Sequence, residues 1–72
     1  MIEEKFYLSE KGALEKAMWL TSLSSDEIEL VVGRFLKSSS RAGQLRGEVL
    51  VYVTGEVLIR HHFNKKILWR MS

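Results

Sequence analysis

The adjacent histidines are the first residues whose types suggest chemistry. His61 and His62 follow Arg60 in a run with the two-residue period of a β-strand. Neighbouring side chains on a strand point to opposite faces, so these histidines are not expected to bind one metal ion. A zinc site needs three or four ligands, and the chain has no cysteine. We therefore expect no metal site and no cofactor, with His61 at the edge of the core near Glu48 and His62 on a basic face.

Catalytic motifs are not evident in the chain. Serines, histidines and acids occur, but no motif brings them together as a nucleophile and its base. The run SSSRAGQLRG, residues 38–47, lacks the GxxxxGK[ST] spacing of a phosphate-binding loop. The sequence therefore predicts a protein that is not an enzyme.

The distribution of charge is the strongest functional signal. Residues 1–33 contain three basic and seven acidic side chains, whereas residues 34–72 contain eight basic and two acidic ones, although the whole chain carries only +2. A one-sided positive field attracts polyanions. Acidic helices that neutralise a basic sheet are the alternative interpretation.

Nucleic-acid binding requires cations that reach phosphates and groups that contact bases. The cations and polar groups predicted to do this are Arg41, Gln44, Arg46, Arg60, His62, Lys65, Lys66 and Arg70. Trp69, Tyr52 or His62 would contact bases, but aromatic residues at strand spacing more often pack in a core. We interpret residues 38–47 as a basic contact segment, either a short helix or a loop, and favour DNA over RNA.

Two helices are predicted in the first half. The first spans Ser9 to Leu23 with Ser9 as its N-cap, and Trp19 lies off its apolar stripe. The second begins with a capping box formed by Ser24 and Glu27 and ends near Lys37. Its apolar stripe consists of Ile28, Val31, Val32, Phe35 and Leu36.

The second half is predicted to form three antiparallel strands. The runs EVLVYV, EVLIRHHF and ILWRM are separated by short breaks at Thr54-Gly55 and Asn64-Lys65-Lys66. KFYL, residues 5–8, is a candidate fourth strand. The predicted fold is one α+β domain over residues 1–72, in which two N-terminal helices pack on a C-terminal three-stranded meander.

The register of this meander decides which residues face the helices. A two-residue turn would place Tyr52 opposite Val57, and a three-residue second loop would place Phe63 opposite Ile67. The covered face would then consist of Leu50, Tyr52, Val57, Ile59, His61, Phe63, Ile67, Trp69 and Met71. The other face would carry a candidate interface of Val49, Val51, Val53 and Leu58, because monomers seldom expose large apolar patches.

The order of elements loosely resembles a winged helix-turn-helix domain, but only in topology. The second helix opens with SSDEIE, residues 24–29, whose acidic side chains DNA would repel. A ribbon-helix-helix arrangement with KFYL as the ribbon is a weaker alternative, because it leaves the C-terminal strands unexplained.

Two functions remain open at this point. The first is a small, dimeric, nucleic-acid-binding regulatory protein; dimerisation is expected because a short chain without disulfides has a limited core. The second is a protein-binding modulator, such as an inhibitor, adaptor or antitoxin-like subunit, that docks on an acidic partner through the half-apolar sheet face or Trp19. We expect a cytoplasmic protein without a membrane segment, since no apolar run approaches the roughly 20 residues that span a bilayer.

Overall fold

Two helices and four strands form along the chain, in the order β1 (Ile2–Tyr7), α1 (Ala13–Thr21), α2 (Ser25–Ser38), β2 (Gly47–Tyr52), β3 (Val57–His61) and β4 (Ile67–Met71). The structure, a computed structural model, describes the backbone of residues 1–38 and 47–72 and the side chains of residues 1–33 and 47–72. The four strands form one sheet in the order β1-β2-β3-β4, and each neighbouring pair is antiparallel. The α+β fold, the meander and the additional N-terminal strand are confirmed.

Helix α2 begins as the sequence predicts. The Glu27 N–H donates to Ser24 Oγ and the Ser24 N–H donates to Glu27 Oε1, each at 3.1 Å. This reciprocal pair satisfies two N–H groups that the first turn would otherwise leave without partners. Ile28 and Val32 are buried in the core, whereas the side chains of Phe35 and Leu36 lie outside the described residues.

Helix α1 is shorter than predicted at both ends. Gly12, at φ 76°, precedes the first helical residue, and Ser22, at φ 62°, follows the last. A left-handed residue cannot continue a right-handed helix, so the predicted start at Ser9 is wrong. Residues 9–11 instead form turns in which the Glu10 N–H donates to the Tyr7 carbonyl and the Ala13 N–H donates to the Glu10 carbonyl.

The β2–β3 register differs from the prediction by one residue. Val51 lies opposite Val57 and Glu48 lies opposite Arg60. The Tyr52 N–H donates to the Glu56 carbonyl, so the loop contains three residues, and Gly55 occupies the left-handed position at φ 93°. A three-residue hairpin loop with glycine at that position is the type I turn with a G1 bulge.

This shift reverses the side of the sheet on which every β2 side chain lies. We call the side covered by the helices the inner face and the opposite side the outer face. The buried inner-face residues that pack with Ala13, Ala17, Ile28 and Val32 of the helices are Phe6, Val49, Val57 and Ile59. The predicted positions of Leu50 and Tyr52 on the helix side are therefore wrong, while Trp69 and Met71 do pack against this core.

The outer face carries a second, smaller apolar group. Leu50 and Leu58 lie opposite one another on β2 and β3, are only 0% and 6% exposed, and do not belong to the core cluster under the helices. Lys5 is the register partner of Leu50, and Arg70 is that of Leu58. Long basic side chains cover apolar surface with their aliphatic stems while their charges stay in water. Leu50 and Leu58 are thus buried beside strands that carry basic side chains on the same face.

The β3–β4 register also differs from the prediction. Ile59 lies opposite Trp69 and Arg60 opposite Ile67, with a bulge between the two pairs. The His61 N–H donates to the Lys66 carbonyl, so the connection contains four residues rather than three. Phe63, predicted to face the helices, instead lies in this loop and is 59% exposed. His61, expected to be half-buried at the edge of the core, is buried at the end of β3.

No helix within residues 1–38 or 47–72 combines the length and the apolar character needed to cross a membrane.

Candidate functional site

Glu48 is a buried carboxylate at one end of the outer face. Its side chain has 0% exposure, and it lies on β2 between Tyr7 of β1 and Arg60 of β3. A fully buried acid is rare unless its charge is compensated. The four-stranded pairing thus places this carboxylate where basic residues of both neighbouring strands can reach it.

Four basic side chains converge on the Glu48 carboxylate. Oε1 accepts hydrogen bonds from Arg60 Nε and from Lys65 Nζ, the latter at 3.2 Å. Oε2 lies 3.1 Å from His62 Nδ1 and 3.8 Å from Lys5 Nζ. We call Lys5, Glu48, Arg60, His62 and Lys65 the Glu48 cluster. It joins residues from β1, β2, β3 and the β3–β4 loop.

The cluster keeps the Glu48 carboxylate ionised. Burial is the largest single influence and raises its pKa, but hydrogen bonds from His62, Arg60 and Lys65, together with the charge of Arg60, outweigh burial. The net result is a pKa lowered from 4.5 to about 2. An ionised carboxylate only accepts hydrogen bonds, so His62 must donate through Nδ1–H.

The cluster contains more positive charge than Glu48 can neutralise. Lys5, Arg60 and Lys65 contribute three positive charges against one negative charge, and His62 adds another when it is protonated. The four basic side chains are 26% to 48% exposed, whereas Glu48 is not exposed. Arg60 uses Nε for this contact, which does not occupy its two terminal amino groups. The arrangement can therefore bind an anion from solvent.

Three aromatic rings form a row beside these cations. The rings of Tyr7 and His62 meet edge to face with centroids 5.1 Å apart, and those of His62 and Phe63 do so at 5.2 Å. Lys5 Nζ also lies 5.4 Å from the centroid of the Tyr7 ring, within cation–π range. His62 thus contacts both the buried carboxylate and the exposed ring of Phe63.

The β3–β4 loop has a defined backbone that positions Phe63 and Lys65. The Phe63 N–H donates to His61 Nδ1 at 3.2 Å, and the Lys66 N–H donates to Asn64 Oδ1 at 2.8 Å. The Lys65 N–H donates to the His61 carbonyl, and Lys65 itself has a left-handed φ of 59°. Asn64 and His61 therefore hold the loop that carries the exposed cations.

The structure brings together only part of the predicted nucleic-acid-binding set. Arg60, His62 and Lys65 belong to the Glu48 cluster, and Lys66 is exposed in the adjoining loop. Arg70 also lies on the outer face but forms a separate pair with Glu56 at 3.2 Å. Arg41, Gln44 and Arg46 lie outside the described residues.

Sequence reasoning missed four members of this site: Lys5, Tyr7, Glu48 and Phe63. The run KFYL was recognised as a candidate strand, but only its pairing with β2 reveals that Lys5 and Tyr7 lie near Glu48. The prediction placed His61 near Glu48, and the histidine that the structure shows at hydrogen-bond distance from the carboxylate is His62. A carboxylate within a strand of otherwise apolar residues is a sequence signal that could have indicated this buried ion pair, but the prediction did not use it.

The predicted apolar interface does not form one surface. Val49 is fully buried under the helices and Val51 packs against the same core, whereas Val53 is exposed in the β2–β3 loop. Leu58 is buried on the outer face. The grouping of these four residues on one exposed face is therefore wrong, and its cause is the one-residue difference in register.

Among the described residues, no group of three or more histidine, aspartate or glutamate side chains is arranged to hold a metal ion. A scan of protein-family models, a search of curated proteins and a search of solved structures each find no match for this chain. Its function is accordingly inferred from the geometry and charge of the Glu48 cluster.

Proposed function

We propose that this chain is a small nucleic-acid-binding protein that contacts phosphate groups through the Glu48 cluster. The observation that carries the proposal is the convergence of Lys5, Arg60, His62 and Lys65 on one buried carboxylate. Two lysines and one arginine against one carboxylate give a formal excess of two positive charges at a partly exposed site. Phosphates are the anions that such concentrated lysine and arginine side chains commonly contact.

Organisation of the cations by Glu48 favours binding of a polyanion. A free lysine loses as much as about 2 kcal/mol of side-chain conformational entropy when it is fixed. In the Glu48 cluster, contact with the buried carboxylate already restricts Lys65 and Arg60. Less of this entropy is therefore lost when a phosphate arrives.

The order of residues along the chain adds further support. Arg46 directly precedes Gly47, and Gly47 precedes Glu48 in β2. The predicted contact residues Arg41, Gln44 and Arg46 are therefore close to Glu48 in sequence. Our proposal includes them as additional phosphate contacts.

Salt-dependent binding to an oligonucleotide tests this proposal. Fluorescence anisotropy with a labelled oligonucleotide should show an affinity that falls steeply between ~50 mM and ~200 mM salt, because binding releases condensed counterions. Lys65→Asn should weaken binding and lower the slope of log affinity against log salt by about 1. Asparagine is suitable because it tolerates the left-handed backbone of this position.

Arg70→Gln provides the matched control. It also removes one positive charge from the outer face, but Arg70 is paired with Glu56 outside the cluster. We expect a smaller loss of affinity and slope than with Lys65→Asn. Absence of oligonucleotide binding, or equal effects of the two substitutions, would contradict the proposed role of the Glu48 cluster.

The sequence-based proposal of a dimeric regulatory protein rests on the small size of the chain, which limits the core that one copy can form. Sedimentation equilibrium over a range of concentrations tests it. A two-chain species is expected, and a monomer at all concentrations would exclude the dimer.

A second candidate function is docking on a larger acidic protein. Trp19 of α1 is 82% exposed, and exposed tryptophans are frequent anchors of protein interfaces. Trp19→Ser should then abolish recovery of one stoichiometric protein partner in nuclease-treated pull-downs. Recovery that does not depend on Trp19 would argue against this function.

A further inference from the structure

We infer that the nucleic acid bound by the Glu48 cluster is single-stranded and that one of its bases stacks on Phe63. This inference rests on the proposed function and specifies its ligand. It is carried by the position of an exposed aromatic ring beside a group of partly exposed cations.

Phe63 has the exposure and support expected of a stacking residue. Its side chain is 59% exposed, although phenylalanine is usually buried. His62 contacts its ring edge to face at 5.2 Å, and His61 contacts it in a tilted arrangement at 5.9 Å. The ring is therefore held by neighbours while more than half of the side chain remains in solvent.

His62 joins the proposed stacking residue to the proposed phosphate contacts. The imidazole ring of His62 contacts Phe63, and Nδ1 of the same ring donates to the Glu48 carboxylate. That carboxylate also binds Arg60 and Lys65. Single-stranded nucleic acids are bound by this combination, in which cations follow the backbone and aromatic rings stack on successive bases. Both parts are present within residues 60–65.

A double helix fits these features less well. Paired bases stack inside a duplex, so an exposed ring gains little from them, whereas the bases of a single strand are free to stack on protein aromatics. Duplex DNA is often read by a helix in the major groove. The first turn of α2 carries Asp26 and Glu27, whose charges would oppose that arrangement.

A binding comparison with three probes separates this inference from the proposed function. The probes are a single-stranded thymidine or uridine homopolymer, a duplex of equal length, and inorganic polyphosphate, which has no bases. The wild-type chain should bind the homopolymer more tightly than the duplex. Phe63→Leu should reduce homopolymer affinity on the order of tenfold, because one stacking contact is lost.

The same variant should leave the salt slope and the affinity for polyphosphate unchanged, whereas Lys65→Asn should weaken binding of all three probes. Phe63 is exposed, so Phe63→Leu should fold, and thermal unfolding checks this. Unchanged homopolymer affinity in a folded Phe63→Leu variant, or equal wild-type affinity for homopolymer and duplex, would overturn the inference alone. Failure to bind either nucleic acid would overturn the proposed function and the inference together.

Discussion

The two ends of the outer face pair charges in different ways. At one end, Glu48 is buried and contacts four basic side chains, whereas at the other end Glu56 is partly exposed and pairs with Arg70 alone. Glu48 and Tyr52, the register neighbour of Glu56, are four residues apart on β2, which corresponds to about 13 Å along a strand. One surface of the sheet thus has a cation-rich end at Glu48 and an end at Glu56 where the two charges cancel.

The two ends differ in how ion pairing affects stability and net charge. A one-to-one pair at the surface cancels its own charge and contributes little to stability. A buried carboxylate that contacts several cations holds those cations in place, and the group keeps a net positive charge. The Glu48 end is therefore expected to matter for both folding and binding, and the Glu56 end for neither to the same extent.

The largest expected effect is that of Glu48→Gln on stability. The substitution preserves shape but removes the charge around which Lys5, Arg60 and Lys65 are arranged. Loss of the charge-assisted hydrogen bonds of a buried carboxylate costs about 2–3 kcal/mol here, less than for a wholly buried pair, because water partly solvates the cations that remain. Urea unfolding followed by circular dichroism should show a loss of this size, and a loss under about 1 kcal/mol would contradict the structural role of Glu48.

The same carboxylate should make stability depend on pH in the acid range. Its folded pKa of about 2 is below the reference value of 4.5, so ionised Glu48 stabilises the folded chain above pH 4.5. This contribution is lost as the pH falls from 4.5 to about 2. A shift of this size corresponds to a free energy on the order of 3 kcal/mol.

Unfolding measured at a series of pH values in wild type and Glu48→Gln would isolate that contribution. The difference in unfolding free energy between the two proteins should shrink as the pH decreases from 4.5 toward 2. A difference that stays constant over this range would show that ionisation of Glu48 does not stabilise the fold.

Arg60→Lys should have an intermediate effect. Lysine keeps the charge but lacks Nε, through which Arg60 donates to Glu48 Oε1. A charge-assisted hydrogen bond contributes about 1.5–3 kcal/mol, and a lysine ammonium recovers part of it. Urea unfolding should reveal a loss of about 1 kcal/mol, and full retention of stability would mean that the Nε contact contributes nothing specific.

Glu56→Gln should have the smallest effect. It breaks the pair with Arg70, whose side chain is 57% exposed. Exposed ion pairs contribute ~0–1 kcal/mol, so the change in unfolding free energy should remain below about 1 kcal/mol. A loss as large as that of Glu48→Gln would remove the difference between the two ends of the outer face.

Much of the fold could be predicted from local patterns. The spacing of Ser24 and Glu27 identified the start of α2, and both hydrogen bonds of the capping box form. The change to a two-residue period identified the three C-terminal strands. These features depend on neighbouring residues, so a single sequence contains the necessary information.

The faces of the sheet could not be derived in this way. Thr54-Gly55 fits a two-residue turn, but a three-residue loop that includes Val53 also places Gly55 in a left-handed conformation. The choice between them shifts the register by one residue and exchanges the two sides of β2. Because of this shift, Glu48 contacts Arg60 and His62. Val49 and Val51, which were expected in an exposed apolar interface, instead pack in the core.

Amide chemical-shift mapping would test most directly whether the Glu48 end of the outer face is the nucleic-acid contact. The isotope-labelled chain would be titrated with a single-stranded homopolymer. The largest shifts are expected at Lys5, Glu48 and the β3–β4 loop from His62 to Lys66, with smaller shifts at Glu56 and Arg70. Shifts concentrated around Glu56 and Arg70, or confined to the helices, would contradict the account.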